Sequence, residues 1–199
     1  DFEESYKNHL LTFRNKHKVF PVIIKGASNI MDNRSFSAIV QKAVTDSLSS
    51  QDINISTKND FETMKEFIKQ NRAHIDWDSY IENDEDLNMY VKNKKDLLEK
   101  IEDGNVEILQ MFEKSASKAG YNLVKNNICE WLDEVVTELR EQKIADYLMV
   151  YWDEFTSVLD LDQRGVSSSE WQNIAELSKG NFVYLFLVTH RFPTHYSED

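Results

Sequence analysis

The chain has 199 residues, a hydrophobic content of 41% and a formal net charge of −12. Its size and hydrophobic content predict one folded domain with a sizeable core. The excess of acids argues against direct binding to nucleic acid, because that binding needs clustered Lys and Arg against the phosphates. The single cysteine, Cys129, excludes an internal disulfide framework and favours a cytoplasmic location. No apolar run approaches the ~18 residues that span a bilayer, so no membrane contact is expected.

The first predicted element is a short strand over VFPVIIKG, residues 19–26. Its β-branched residues and the terminal Gly26 favour a buried strand, and Pro21 is tolerable near the start or at an edge. Residues 29–48 follow with apolar side chains at helical spacing and cap residues near the start. The pattern predicts a strand, a loop and an amphipathic helix.

Residues 57–145 are predicted to be mostly helical, since they contain no proline, almost no glycine and repeated three-and-four apolar spacing. The longest apolar stripe runs over residues 124–139. A shorter stripe begins at Phe61, behind a plausible N-cap at Asn59 or Asp60. This part of the chain therefore reads as a run of amphipathic helices.

Two apolar segments near the carboxyl terminus predict two further strands. YLMVYW, residues 147–152, is continuous and apolar, which is typical of a strand that is covered on both faces. NFVYLFLVTHR, residues 181–191, repeats the pattern, and a helix is predicted between the two over residues 169–180.

Buried strands separated by helices predict a parallel sheet, and hence an α/β fold with a helical insertion between the first and second strands. We expect one domain over residues 1–199. Its α/β core comprises residues 19–56 and 146–199, and the helical insertion comprises residues 57–145. Chemistry in such sheets collects at the carboxyl ends of the strands.

Two acids, Asp153 and Glu154, directly follow the apolar strand YLMVYW. This arrangement resembles the Walker B motif of P-loop NTPases, in the division that adds a catalytic glutamate. The resemblance implies that Asp153 is a ligand of the Mg²⁺ that accompanies ATP, and that Glu154 orients and deprotonates the attacking water. The alternative is a solvated strand end, or the cap of a following helix.

Thr189 and His190 follow the next predicted strand. They resemble the polar sensor position of the same NTPases, where a side chain contacts the γ-phosphate or the lytic water. Both side chains can donate a hydrogen bond to a phosphate oxygen. His190 is preferred by its reach and Thr189 is second, while the alternative is an ordinary strand end.

Two subfamilies of these NTPases compete. DEFTSVLD is similar to the DEPTSALD run of ABC-type ATPases, but their glycine-rich signature is absent before the strand, and Phe155 replaces the proline. The arrangement over residues 123–196 is more similar to the large P-loop ATPases of bacterial phage defence, which include bacteriophage-exclusion and restriction-associated proteins. The resemblance therefore implies a P-loop NTPase-like sheet and a role in defence.

The phosphate-binding sequence G-x-x-x-x-G-K-[ST] is absent, and the chain begins at Asp1 without an initiator methionine. We therefore expect a piece of a longer protein, which alone binds nucleotide poorly or not at all. ATP and Mg²⁺ would act only in the intact parent. The expected partners are the remainder of that parent and proteins that contact the helical insertion. The alternatives are a degenerate domain that never had the loop and a non-catalytic protein-interaction module.

Three other patterns predict structure rather than a site. The segment from Asp160 approaches a calcium-binding loop, but Arg164 occupies a ligand position. HIDWD, residues 74–78, alternates like metal ligands but has no fourth ligand nearby, so it predicts a surface segment. Cys129 lies within an apolar stripe and predicts a small buried residue.

Overall fold

The computed structural model describes residues 2–26, 33–123, 127–155, 179 and 182–189. Over these residues the chain is an α/β protein with a three-stranded sheet. None of the helices in these ranges is both long and apolar enough to cross a membrane. The predicted helix over residues 169–180 lies almost entirely outside the described residues.

The sheet is parallel and its strands lie in chain order, which confirms the predicted α/β class. The strands are β1 (Val19–Lys25), β2 (Tyr147–Asp153) and β3 (Val183–Leu187), and β2 lies in the middle. In the β1–β2 register Lys25 lies opposite Asp153, and in the β2–β3 register Trp152 lies opposite Leu187. β3 is shorter than the apolar segment that predicted it.

Helices fill most of the remaining described chain. The first, α1 (Phe2–Lys16), precedes β1, and α2 (Asn33–Ser49) follows it. The segment predicted to be mostly helical contains α3 (Asp60–Gln70), α4 (Trp77–Glu82), α5 (Lys94–Glu102), α6 (Val106–Lys118) and α7 (Ile128–Glu141), with 3-10 turns at Asn71–Ala73 and Leu87–Met89.

Asparagine caps set where several of these helices begin. The Asn59 side chain accepts a hydrogen bond from the Glu62 N–H, and the Glu62 side chain accepts one from the Asn59 N–H, which together form a capping box for α3. Asn127 caps α7 by accepting from the Cys129 N–H. The helix predicted over residues 124–139 therefore starts later than its apolar stripe suggested, and residues 124–126 are not among those described.

Two hydrophobic cores form on either side of α2. The sheet core contains the inward residues of the strands with residues of α2 and α7, among them Phe20, Val22, Phe36, Val40, Trp131, Val135, Leu148, Val150 and Trp152. The helical core contains residues of α3 to α6 and Ala38 of α2, among them Met64, Ile68, Trp77, Leu97, Leu109 and Phe112. Because α2 contributes to both cores, it joins the sheet to the helical unit.

A polar seam made of Arg34, Gln41, Asp60 and Glu113 runs between the two cores. Arg34 Nε donates a hydrogen bond to Glu113 Oε2 at 2.6 Å. Arg34 Nη1 forms an ion pair with Asp60 Oδ2 at 2.8 Å, but the angles of this contact are not those of a hydrogen bond. The Asp60 N–H donates to Gln41 Oε1 at 3.0 Å. Two buried donors of the seam, Arg34 Nη2 and Gln41 Nε2, have no hydrogen-bond partner within the described structure.

Among the described residues the two faces of β2 are covered unequally. Leu148, Val150 and Trp152 are buried beneath α2 and α7, but these two helices lie on the same side of the sheet. On the other side Phe13 of α1 packs against Tyr147 at the start of β2, with ring centroids 5.5 Å apart. Nearer the end of the strand Tyr151 is 37% exposed and stacks on Phe186 of β3, with ring centroids 4.9 Å apart. A continuous apolar run cannot distinguish cover by helices from an open aromatic surface.

Candidate functional site

The candidate site lies at the carboxyl edge of the sheet, where the ends of all three strands meet. Asp153 ends the central strand and Glu154 follows it, while Gly26 follows β1 and Thr189 follows β3. The pairing continues past β3, because the Val188 N–H donates to Trp152 O and the Phe155 N–H donates to Val188 O, both at 2.9 Å. The chain segments that carry the two acids and Thr189 are therefore adjacent.

Trp152 anchors this edge from within the sheet core. Its side chain is fully buried and stacks on Phe36 of α2, with centroids 5.3 Å apart and an interplanar angle of 8°. Its Nε1 donates to the Gly26 carbonyl at 3.1 Å, which ties the end of β1 to the end of β2. The backbone immediately before Asp153 is thus held on a packed support.

A left-handed residue at the end of β2 places Glu154 outside the core. Regular alternation along the strand would bury the residue two positions after Trp152, yet Glu154 is exposed and Phe155 is fully buried. Glu154 has φ +58°, a backbone conformation that L-residues rarely adopt. This turn lets the Phe155 ring pack edge-on against Trp152, with centroids 5.3 Å apart, while the Glu154 carboxylate stays at the surface.

The carboxylates of Asp153 and Glu154 are adjacent in the chain but have different contacts. Asp153 Oδ1 accepts a hydrogen bond from the Glu154 N–H at 2.9 Å. The Glu154 carboxylate lies close to Gly26, since a Cβ placed on Gly26 would be 3.7 Å from Glu154 Oε2. Gly26 itself has φ +74°. Asp153 therefore follows the line of β2, whereas Glu154 turns toward the end of β1.

The carboxylates of this edge would hold a magnesium ion only together with ligands from elsewhere. No group of three or more His, Cys, Asp or Glu side chains is arranged to hold a metal ion within the part of the chain that the structure describes. Magnesium in nucleotide sites keeps several waters and needs one or two carboxylates besides the phosphates. Asp153 can supply such a carboxylate, because the hydrogen bond from the Glu154 N–H engages only its Oδ1 atom and not its Oδ2 atom.

His190, the preferred sensor residue in the sequence, lies outside the described residues. Thr189, the second choice, is described and is partly buried next to the end of β2. Sequence reasoning missed Lys25 as a neighbour of Asp153, although it marked Gly26 as the end of the first strand. Only the register between two strands far apart in sequence reveals that Lys25 and Asp153 are neighbours.

The HIDWD segment exposes His74, Asp76 and Asp78, as expected of a surface segment, but its Trp77 is buried in the helical core. Asp76 caps α4 and accepts hydrogen bonds from the Ser79 N–H and hydroxyl. The backbone hydrogen bond from Ser79 is the main cause that lowers the pKa of Asp76. Asp78 accepts from the Lys94 N–H at 2.7 Å and so joins the starts of α4 and α5. The calcium-like segment from Asp160 lies outside the described residues.

No protein-family model, curated protein or solved structure matches this chain. The resemblance to P-loop ATPases therefore stays a prediction that depends on the residues at the carboxyl edge.

Proposed function

We propose that this chain is the Walker B and sensor part of an ATPase core, and that the intact parent protein hydrolyses ATP at the carboxyl edge of the sheet. One observation supports this proposal above the others. The adjacent acids Asp153 and Glu154 end the middle strand of a parallel sheet, with Gly26 on one side and Thr189 on the other. Ligands of open parallel sheets bind at this edge.

Each residue of the edge has a role in that reaction. Bound Mg²⁺ would neutralise charge on the phosphates as the bond to the γ-phosphate breaks. Asp153 would hold the ion, directly or through water. Glu154 would accept a proton from the attacking water and orient it toward the phosphorus. The Thr189 hydroxyl would donate a hydrogen bond to a γ-phosphate oxygen, alone or together with His190.

The fixed backbone around the acids supports this assignment. Trp152 and Phe155 are both fully buried, so they hold the Asp-Glu pair from either side. The left-handed φ of Glu154 carries a strain of about 1 to 2 kcal/mol, and such strain clusters at functional sites. A rigid, prepositioned carboxylate is what a general base requires.

The resemblance to phage-defence ATPases extends the proposal to the parent protein. Its phosphate-binding loop would come from residues outside this chain. The helical unit, with its own hydrophobic core, would meet the parent's other domains or its partner subunits. ATP turnover would then drive a change in those contacts.

The decisive experiment measures ATP turnover by the full-length parent with Glu154→Gln. The substitution keeps the shape of the side chain and removes the base, so kcat should fall about 100-fold or more while nucleotide binding persists. Glu134→Gln, at an exposed position on α7, is the matched control and should leave kcat unchanged. Turnover that survives in the Glu154 variant would rule out the catalytic assignment.

A second candidate function is a non-catalytic protein-interaction module. The observation that favours it is the open face of the sheet, where Tyr151 and Phe186 stack in solvent contact. A module of this kind predicts no ATP turnover by the wild-type parent. It also predicts a loss of partner binding with Phe186→Ser and none with Glu154→Gln.

A further inference from the structure

Lys25 and Asp153 are neighbours across two parallel strands. They are paired in the β1–β2 register at the last position of each strand. Directly opposed residues of adjacent strands point to the same face of a sheet. The alternating residues Phe20, Val22 and Ile24 are buried, so Lys25 lies on the opposite face from α2, as Asp153 does.

Lys25 is the only basic residue in the three strands. Its side chain is exposed, and no ion pair of Lys25 occurs among the described residues. Within the described ranges its ammonium group thus stands near two carboxylates, Asp153 and Glu154, without an ion pair to either.

The backbone beside Lys25 is fixed even though its side chain is not. The next residue, Gly26, has its carbonyl held by Trp152 Nε1 at 3.1 Å. The Cα of Lys25 is thus tied to the site, and a flexible four-carbon stem carries the charge. The Lys25 ammonium can therefore move with a phosphate group whose charge and position change during a reaction.

We propose that Lys25 binds the phosphate oxygens of the nucleotide at this edge, as a second cationic contact besides the metal ion. This inference rests on the proposed function. Nucleotide phosphates meet Asp153 and Glu154 there, and like charges repel at such distances. An ammonium next to Asp153 offsets that repulsion and donates charge-assisted hydrogen bonds to phosphate.

The test compares Lys25→Met and Lys25→Arg in the full-length parent by steady-state ATP hydrolysis. Lys25→Met should raise the KM for MgATP by about tenfold, and Lys25→Arg should restore it to within about threefold of wild type. The half-activating concentration of Mg²⁺ should not change in either variant. Lys95→Met, which removes the same charge from an exposed position on α5, should match wild type.

Two results would overturn the inference while leaving the proposed function intact. In one, the wild-type parent hydrolyses ATP and Lys25→Met has the same KM. In the other, Lys25→Met raises only the Mg²⁺ requirement, which means that Lys25 serves Asp153 and not the phosphates. If the wild-type parent neither binds nor hydrolyses MgATP, the proposed function and this inference fail together.

Discussion

The Glu154 carboxylate lies against the end of the neighbouring strand at Gly26, where an added Cβ would come within 3.7 Å of Glu154 Oε2. The Gly26 carbonyl accepts the indole N–H of Trp152, so Gly26 contacts both the buried anchor and the exposed acid. Its φ of +74° is readily adopted by glycine and strained for other residues. The backbone of Gly26 thus lies between the buried Trp152 and the exposed Glu154 at the end of β1.

Gly26→Ala should destabilise the chain by about 1 kcal/mol. The left-handed backbone costs alanine about 1 to 2 kcal/mol, and part of this cost is offset because alanine reduces the entropy of the unfolded chain. The 3.7 Å contact with Glu154 is ordinary van der Waals distance, so no clash adds to the loss. Urea unfolding followed by circular dichroism measures the difference in free energy.

Gly120→Ala is the matched control, because Gly120 has φ +88° and an added Cβ would meet nothing within 4 Å. Both variants should lose similar stability. Only Gly26→Ala should also lower ATP turnover in the full-length parent. Equal turnover in the two variants would show that Gly26 does not position Glu154.

Glu154→Gly should leave the chain as stable as wild type, or more stable by up to about 1 kcal/mol. Glycine relieves the left-handed strain at this exposed position, and its greater freedom in the unfolded chain offsets part of the gain. Thermal unfolding measures the difference. Glu154→Val is the comparison, since a β-branched residue with positive φ should be less stable than wild type. If the valine variant matched the glycine variant, φ at this position would not be strained in solution.

Glu138 on α7 fastens the chain that leads into α3. One of its carboxylate oxygens accepts from the Ser56 N–H at 2.6 Å, and the other accepts from the Ser56 hydroxyl at 2.9 Å and the Thr57 N–H at 2.7 Å. The Thr57 hydroxyl is a further donor. Glu138→Gln keeps the shape but loses the charge and one acceptor, so it should cost about 2 kcal/mol in urea unfolding.

The contribution of Glu138 should depend on pH in a defined direction. Burial acts to raise the pKa of Glu138, but the hydrogen bonds from Ser56 and Thr57 outweigh it and lower the pKa below its ordinary value of 4.5. A lowered folded-state pKa gives stability that is present above 4.5 and is lost as the pH falls through the folded value. The difference between wild type and Glu138→Gln should therefore shrink below that pH. A constant difference from neutral to acid pH would contradict this account.

The sequence predicted the ends of the central strand well, because an apolar run followed by Asp153 and Glu154 marks where a strand leaves the core. It also predicted the Asn59 cap, which depends only on residues within one turn. The proximity of Lys25 and Asp153 could not be predicted, since all of α2 to α7 separates them and strand register has no local signal at that range.

Phe155 shows a second limit of sequence reasoning. In the sequence Phe155 stands out only because it replaces a proline of a similar motif. Its burial depends on the backbone turn at Glu154, and nothing in the residue type of a glutamate predicts a positive φ. The exposure of Tyr151 could not be predicted for a similar reason. An apolar side chain can be buried, but its residue type does not indicate which face of the sheet the helices cover.

Because α2 is shared by the two cores, it couples the helical unit mechanically to the carboxyl edge. Ala38 belongs to the helical core, while Phe36 lies in the sheet core and stacks on Trp152 directly before Asp153. Close-packed interiors transmit displacement instead of absorbing it. A displacement of the helical unit would therefore be transmitted through the packing of α2 to the support of Asp153.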